Sequence, residues 1–231
     1  MPLTPFEASA LELSLRVGII SVCFSLPLGL AVAWLLARCS FHGKLLLDGI
    51  IHLPLVLPPV VVGYALLSLF GRRGMVGAWL HDALGITLAF DWKGAALASA
   101  VMAFPLMVRA IRLSLEAVDR GLEAAAHTLG ASRTRVFFTV TLPLTAPGLL
   151  TGAILAFARS IGEFGATITF VSNIPGLTQT LPLALYSLVQ QPDGDAAAAR
   201  LAVISVVVAL LALLASELLA RRIARRIGSA V

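Results

Sequence analysis

The chain has 231 residues, 59% of them hydrophobic and 13% charged, with a mean hydropathy of +0.97 and a formal net charge of +5. A soluble domain is about half apolar and about a quarter charged, so this composition excludes a water-soluble globule and puts the chain in a bilayer. The basic residues are spread along the chain rather than clustered with aromatics on one face, which argues against a nucleic-acid partner.

A membrane helix needs about 20 apolar residues. Five blocks meet that length, near Leu13 to Ala37, Gly49 to Phe70, Ala95 to Leu115, Pro147 to Val171 and Ala197 to Leu219. The predicted fold class is therefore all-α: a polytopic bundle of about five transmembrane helices in one membrane domain over 1–231. Lys and Arg favour cytoplasmic loops. Counted on alternate sides, Arg38, Lys44, Arg109, Arg112, Arg120, Arg133, Arg135 and the arginines from Arg221 to Arg226 fall together, so the N-terminus is outside. Arg72 and Arg73 run against this trend. No basic region precedes the first span and no small-residue cleavage site follows it, so it reads as a retained helix.

In chain order, the first span carries Pro27 and Gly29, and Cys23 and Cys39 lie on it. They are about 24 Å apart at 1.5 Å per residue, too far for a disulfide. The second span, HLPLVLPPVVVGYALL, holds His52, Pro54, Pro58 and Pro59. Proline frees carbonyls and bends a helix, which suits either a movable pathway helix or a static kink. His52 reads as a buried polar group with a local partner. GRRGMVGAWLHDALGITLAFD follows as an outer loop with a short amphipathic piece around Trp79, Leu80 and Leu84. The third span leaves through Arg112 and Glu116, spaced to pair.

The segment from 119 to 145 is a basic interruption between long apolar blocks. Asp119 is placed to cap a short helix with Leu122, Ala125, Ala126 and Leu129 on one face, and Gly130 to stop it. Ser132 is placed to cap a second short helix, which Leu142-Pro143 would end. Such a helix-turn-helix either presents its Ala/Gly tip to a partner protein or rests on lipid headgroups. The fourth span, GLLTGAILAFARSIGEFGATITFVSNIPG, buries two ionisable residues, Arg159 and Glu163. Buried charges in a membrane point to function. Four apart, these two pair on one helix face, as a structural ion pair or as the lining of an anion path. Gly162, Gly165 and Ala166 offer a small-residue surface for another helix, including that of a second copy. A turn at Ser172 to Gly176 precedes an interfacial or re-entrant segment through Tyr186 and a plain last span, anchored inside by Arg221 to Arg226.

Catalytic and metal-binding patterns are missing. Gly43-Lys44 is followed by leucine and lacks the earlier glycine of a phosphate-binding loop, so any ATP is handled by another chain. Gly130-Ala131-Ser132-Arg133-Thr134 fails the nucleophile-elbow pattern at its last position. No Cys/His spacing fits a metal. The expectation is a chain with no catalytic residues, no metal and no cofactor of its own.

The central segment resembles the cytoplasmic loop of permease subunits of binding-protein-dependent ABC importers, whose pattern is E-A-A, three residues, G, nine residues, I-x-L-P. Ala125, Ala126, Gly130, Leu142 and Pro143 match it, and Val140 replaces the isoleucine. The glutamate position holds Ala124, with Glu123 one residue before it. ARSIGEFGATITFVSNIPG resembles the oxyanion-importing branch, and HLPLVLPPVVVGYALL, GRRG and FPLMVRAIRLSLEAVD are most similar to molybdate permease subunits. The resemblance implies the type I importer permease fold in the bacterial cytoplasmic membrane and a homodimer with the pathway at its interface. It also implies a coupling loop over about 119–145 that docks on an ATP-binding cassette subunit, and a periplasmic molybdate-binding protein as supplier. Molybdate is the implied cargo, with sulfate, thiosulfate or tungstate as alternatives within the branch. A passive anion channel is the alternative outside it.

Overall fold

The computed structural model describes residues 3–228, and every regular element among them is helical. Helix α1 spans Pro5–Arg38. It starts before the predicted Leu13 because Thr4 and Glu7 form a capping box. The Thr4 hydroxyl accepts from the Glu7 N–H at 3.3 Å, and the Glu7 carboxylate accepts from the Thr4 N–H at 2.7 Å. Then come α2 (Lys44–Val56), α3 (Pro59–Phe70), the outer helix α4 (Met75–Leu84) and α5 (Trp92–Ala117). The short α6 (Arg120–Thr128) and α7 (Arg133–Val136) lead into α8 (Leu142–Ile161), followed by α9 (Gly165–Val171), α10 (Leu181–Val189) and α11 (Asp195–Gly228). Four helices are long and apolar enough to cross a membrane, and the bent pair α2–α3 makes a fifth span.

Helices α1, α5 and α8 form the centre of the bundle. Lipid tails are as apolar as leucine, so close van der Waals packing rather than the hydrophobic effect joins membrane helices, and small residues permit it. Helix α8 supplies them at four-residue spacing, with Gly148, Gly152, Ala156 and Ser160 all buried. A Cβ on Gly152 would lie 3.0 Å from the Met107 carbonyl oxygen of α5, and one on Gly148 would collide with Ser114. Ser160 and Ser21 of α1 share a hydrogen bond of 2.9 Å. Leu36, Met107, Ile111 and Leu115 fill the inner half of this core, and Val17, Met102, Phe170 and Val171 the outer half.

The second span is broken rather than gently bent, with α2 and α3 meeting at 115°. Pro58 and Pro59 remove two successive N–H donors and push the residues before them out of the α region, and the ladder stops there: the Leu57 N–H still reaches the Leu53 carbonyl, whereas the Val61 N–H bonds to the Pro58 carbonyl. Two further predicted boundaries are corrected. Leu142-Pro143 does not end the second short helix: α7 runs through a π-helical turn, Phe137–Thr141, straight into α8. The Leu142 N–H bonds back to the Phe137 carbonyl, five residues away, and this wider turn accommodates the proline that an α-turn would clash with. The fourth span is not one helix to Val171, since α8 stops at Ile161 and the chain breaks before α9.

Outside, the predicted turn at Ser172 to Gly176 is present, with positive φ at both ends. The segment through Tyr186 forms α10, which buries Leu181, Leu183 and Ala184 and packs on α1 and α11. Arg200 of α11 pairs with Glu7 at 2.8 Å. The side chains from Arg221 to Arg226, read as the inner anchor, lie outside the described residues.

Candidate functional site

The inner face of the bundle carries the predicted helix-turn-helix. The Asp119 carboxylate accepts from the Gly121 N–H at 2.8 Å and starts α6. Gly130, at φ +84°, ends that turn, a conformation open to glycine at no steric cost. The Ser132 hydroxyl accepts from the Arg135 N–H at 3.3 Å and starts α7. No residue of α6 is buried, and its apolar face is bare, with Leu122 50% and Leu129 88% exposed.

Of the residues singled out in this segment, Ala125, Gly130 and Pro143 are exposed, while Glu123, Ala126, Val140 and Leu142 are half-buried. Glu123 turns inward. Its carboxylate accepts from Arg38 at 3.0 Å and from the Thr141 hydroxyl at 2.7 Å, joining the inner end of α1, α6 and the π-helical turn. Charge-assisted bonds of this kind contribute about 1.5–3 kcal/mol each. A cleft of about 660 Å³ opens between α1 and this element, lined by Trp34, Arg38, Glu123, His127 and Arg133 among others. The Arg38–Glu123 pair joins residues 85 apart in the chain, so nothing in the local pattern announced it.

A second polar group sits near the inner end of α5. Arg112 donates to Glu116 at 2.8 Å, as its spacing predicts, and also to Asp48 of α2 at 3.2 Å. His52 has the local partner expected of it, with Nδ1 2.9 Å from the Asp48 carbonyl oxygen.

At mid-height the two broken spans meet at their breaks. Gly165 packs on Pro59, and a Cβ on Gly63 of α3 would lie 2.6 Å from the Ala166 carbonyl oxygen of α9. Gly165 and Ala166 thus form the expected small-residue surface for another helix, which is α3 of the same chain, whereas a Cβ on Gly162 would meet nothing within 4 Å. Arg159 and Glu163 do pair, with Arg159 Nη1 2.6 Å from Glu163 Oε2. They do so across the end of a helix rather than along one face, because Glu163 follows the stop of α8. The other carboxylate oxygen of Glu163 accepts from the Ala166 N–H at 2.8 Å and caps α9. Neighbouring Ser160 touches Ser21, halfway along α1, which sets the pair near the middle of the membrane.

The cysteines are free, as expected. No group of three or more His, Cys, Asp or Glu is poised for a metal ion among the described residues.

A helical membrane bundle with an uncovered inner element and two spans broken at mid-height has the build of a transport permease. Residues 25–225 match the family described as "Binding-protein-dependent transport system inner membrane component", and the chain belongs to that family. It is a multi-pass inner-membrane protein. The chain is 63% identical over 228 residues to the molybdenum transport system permease protein ModB of Escherichia coli, covering 99% of this chain and 100% of that one. It is 37% identical over 223 residues to the sulfate transport system permease protein CysT of Escherichia coli, covering 96% and 80%. Among solved structures, a chain of the inward-facing MetNI methionine ABC transporter superposes with a TM-score of 0.75 at 17% identity, covering 94% of this chain and 96% of that one. That likeness establishes the fold.

Proposed function

We propose that this chain is the membrane subunit of an ATP-driven importer that carries molybdate inward across the cytoplasmic membrane. The observation that carries the reading is the 63% identity to a molybdenum permease along the whole length of both chains, against 37% to a sulfate permease. Two copies enclose the pathway. A periplasmic binding protein delivers the anion from outside, and two ATP-binding cassette subunits bind below and supply ATP, for which this chain has no site of its own.

The segment 119–145 is the coupling loop. Support for this comes from the bare apolar face of Leu122, Ala125 and Leu129, from the exposed Gly130, and from the Glu123 anchor that holds α6 to α1 and the π-helical turn. ATP binding draws the two cassette subunits together, and the docked loops transmit that movement to the spans. The cycle is a population shift driven by the different affinity of ATP for the two states.

The test is uptake of labelled molybdate at nanomolar concentration in cells with and without this chain, alone and against excess sulfate. Uptake that depends on the chain and survives sulfate is expected. Uptake erased by sulfate would transfer the reading to a general sulfate-type permease, and chain-dependent anion flow without any ATPase would transfer it to a passive channel.

A further inference from the structure

The two members of the mid-membrane ion pair are not equivalent. Glu163 is held: its side chain is 1% exposed, and one of its oxygens caps α9 through the Ala166 N–H. Arg159 is 29% exposed, and Glu163 is its one ion-pair partner among the described residues. Even that contact is a charge contact rather than an aligned hydrogen bond, since Glu163 Oε2 receives no hydrogen bond. A guanidinium has five N–H donors, and in hydrocarbon each unsatisfied one is costly. A pair retained only for structure satisfies itself in a bidentate geometry. This one leaves most of its donors open.

The surroundings point the same way. The pair lies where the two broken spans touch at Pro59 and Gly165, and the residue between its partners, Gly162, has nothing within 4 Å of where a Cβ would sit. Space, a cation with unused donors and irregular backbone coincide at mid-height, which is where transporters place their cargo.

We propose that Arg159 is a transit site for the tetrahedral oxyanion cargo, and that Glu163 is a fixed counter-charge that keeps the site weak. The proposal rests on the importer reading above. The planar fork of a guanidinium matches two oxygens of such an anion. A bare buried arginine would hold a dianion too firmly for passage, whereas conduction needs binding strong enough for the anion to enter and weak enough for it to leave. Glu163 competes for the same N–H groups and returns to them once the anion has moved on.

The test uses the complete transporter in proteoliposomes, supplied with binding protein and labelled molybdate. It reads uptake, ATP hydrolysis stimulated by the loaded binding protein, and assembly. Arg159→Gln is expected to assemble and hydrolyse ATP normally but to import at least about ten-fold less, a loss of about 1.4 kcal/mol, so that more ATP is consumed per anion moved. Arg159→Lys, which keeps the charge without the fork, should recover part of the uptake. The double variant Arg159→Leu/Glu163→Leu should assemble and still fail to import. Wild-type-like import by Arg159→Gln, or recovery of import in the double apolar variant, would overturn the proposal and leave a structural pair. Failure of the wild-type complex itself to import molybdate would instead remove the importer reading on which the proposal stands.

Discussion

Pro143 and the pair Pro58-Pro59 interrupt two membrane spans by the same chemistry, a missing N–H. Yet the chain passes through the first with a wider turn, while α2 and α3 part at 115° across the second. Pro27, Pro54, Pro105 and Pro147 sit inside continuous helices. A single proline costs one ladder bond and a local clash, which a π-helical turn or a packed neighbour absorbs. Two in succession remove two adjacent ladder bonds and bias the residues before them away from the α region, and the direction the chain then takes is set by tertiary contacts. Here those contacts are Gly165 on Pro59 and Ala166 on Gly63. The absorbed interruption leads from the inner helix-turn-helix into the membrane, and the open one lies beside the buried ion pair.

This contrast can be broken most severely at Gly63. A valine there would press on the Ala166 carbonyl, at 2.6 Å from its Cβ. Overpacking against backbone costs about 1–3 kcal/mol or more, so Gly63→Val should abolish import and lower the thermal stability of the purified complex. Gly162→Ala, beside open space, should leave that stability unchanged. Next in size is the double variant Pro58→Ala/Pro59→Ala. Restoring both donors allows a continuous helix, and import should fall about ten-fold with assembly intact; Pro143→Ala should import within about two-fold of wild type, because its turn is already bridged. Unchanged import by the Pro58/Pro59 variant would show that the 115° break is incidental to transport.

A smaller effect is expected at Glu123. Glu123→Gln should weaken the Arg38 and Thr141 bonds and reduce import about three-fold for the same ATP hydrolysis, and adding Arg38→Gln should bring little further loss, as partners in one network are not additive. Full additivity would refute the anchor. Smallest of all, Cys23→Ser and Cys39→Ser should each leave import unchanged and stability within about 0.5 kcal/mol, since neither thiol is bonded.

What could be read from the sequence was what is decided within a few residues. Asp119, Gly130 and Ser132 act as predicted because capping and helix stops involve neighbours two to four positions away. The Arg112–Glu116 pair follows from four-residue spacing in the same way, whereas Arg159 and Glu163 meet across the end of α8. The stripe of Gly148, Gly152, Ala156 and Ser160 is equally legible by its four-residue period, and Gly165 and Ala166 are legible as a small-residue surface for another helix. The Arg38–Glu123 anchor and the Ser21–Ser160 bond join residues 85 and 139 apart, and no local pattern carries such information. The end predicted at Leu142-Pro143 failed for a different reason: the rule that proline stops a helix assumes a regular α-turn before it, and here the turn is not one.

The π-helical turn has a mechanical meaning as well. It inserts one residue between the cytoplasmic element and α8, and Val136 and Thr141, five apart, are both buried. One residue is roughly 100° of rotation in an α-helix. The turn therefore sets the phase between a face offered to the cytoplasm and a stripe buried in the membrane. Deleting a single residue there would swing α6 about the axis of α8 by that angle and turn its bare apolar face in a new direction, with every side chain of that face still present.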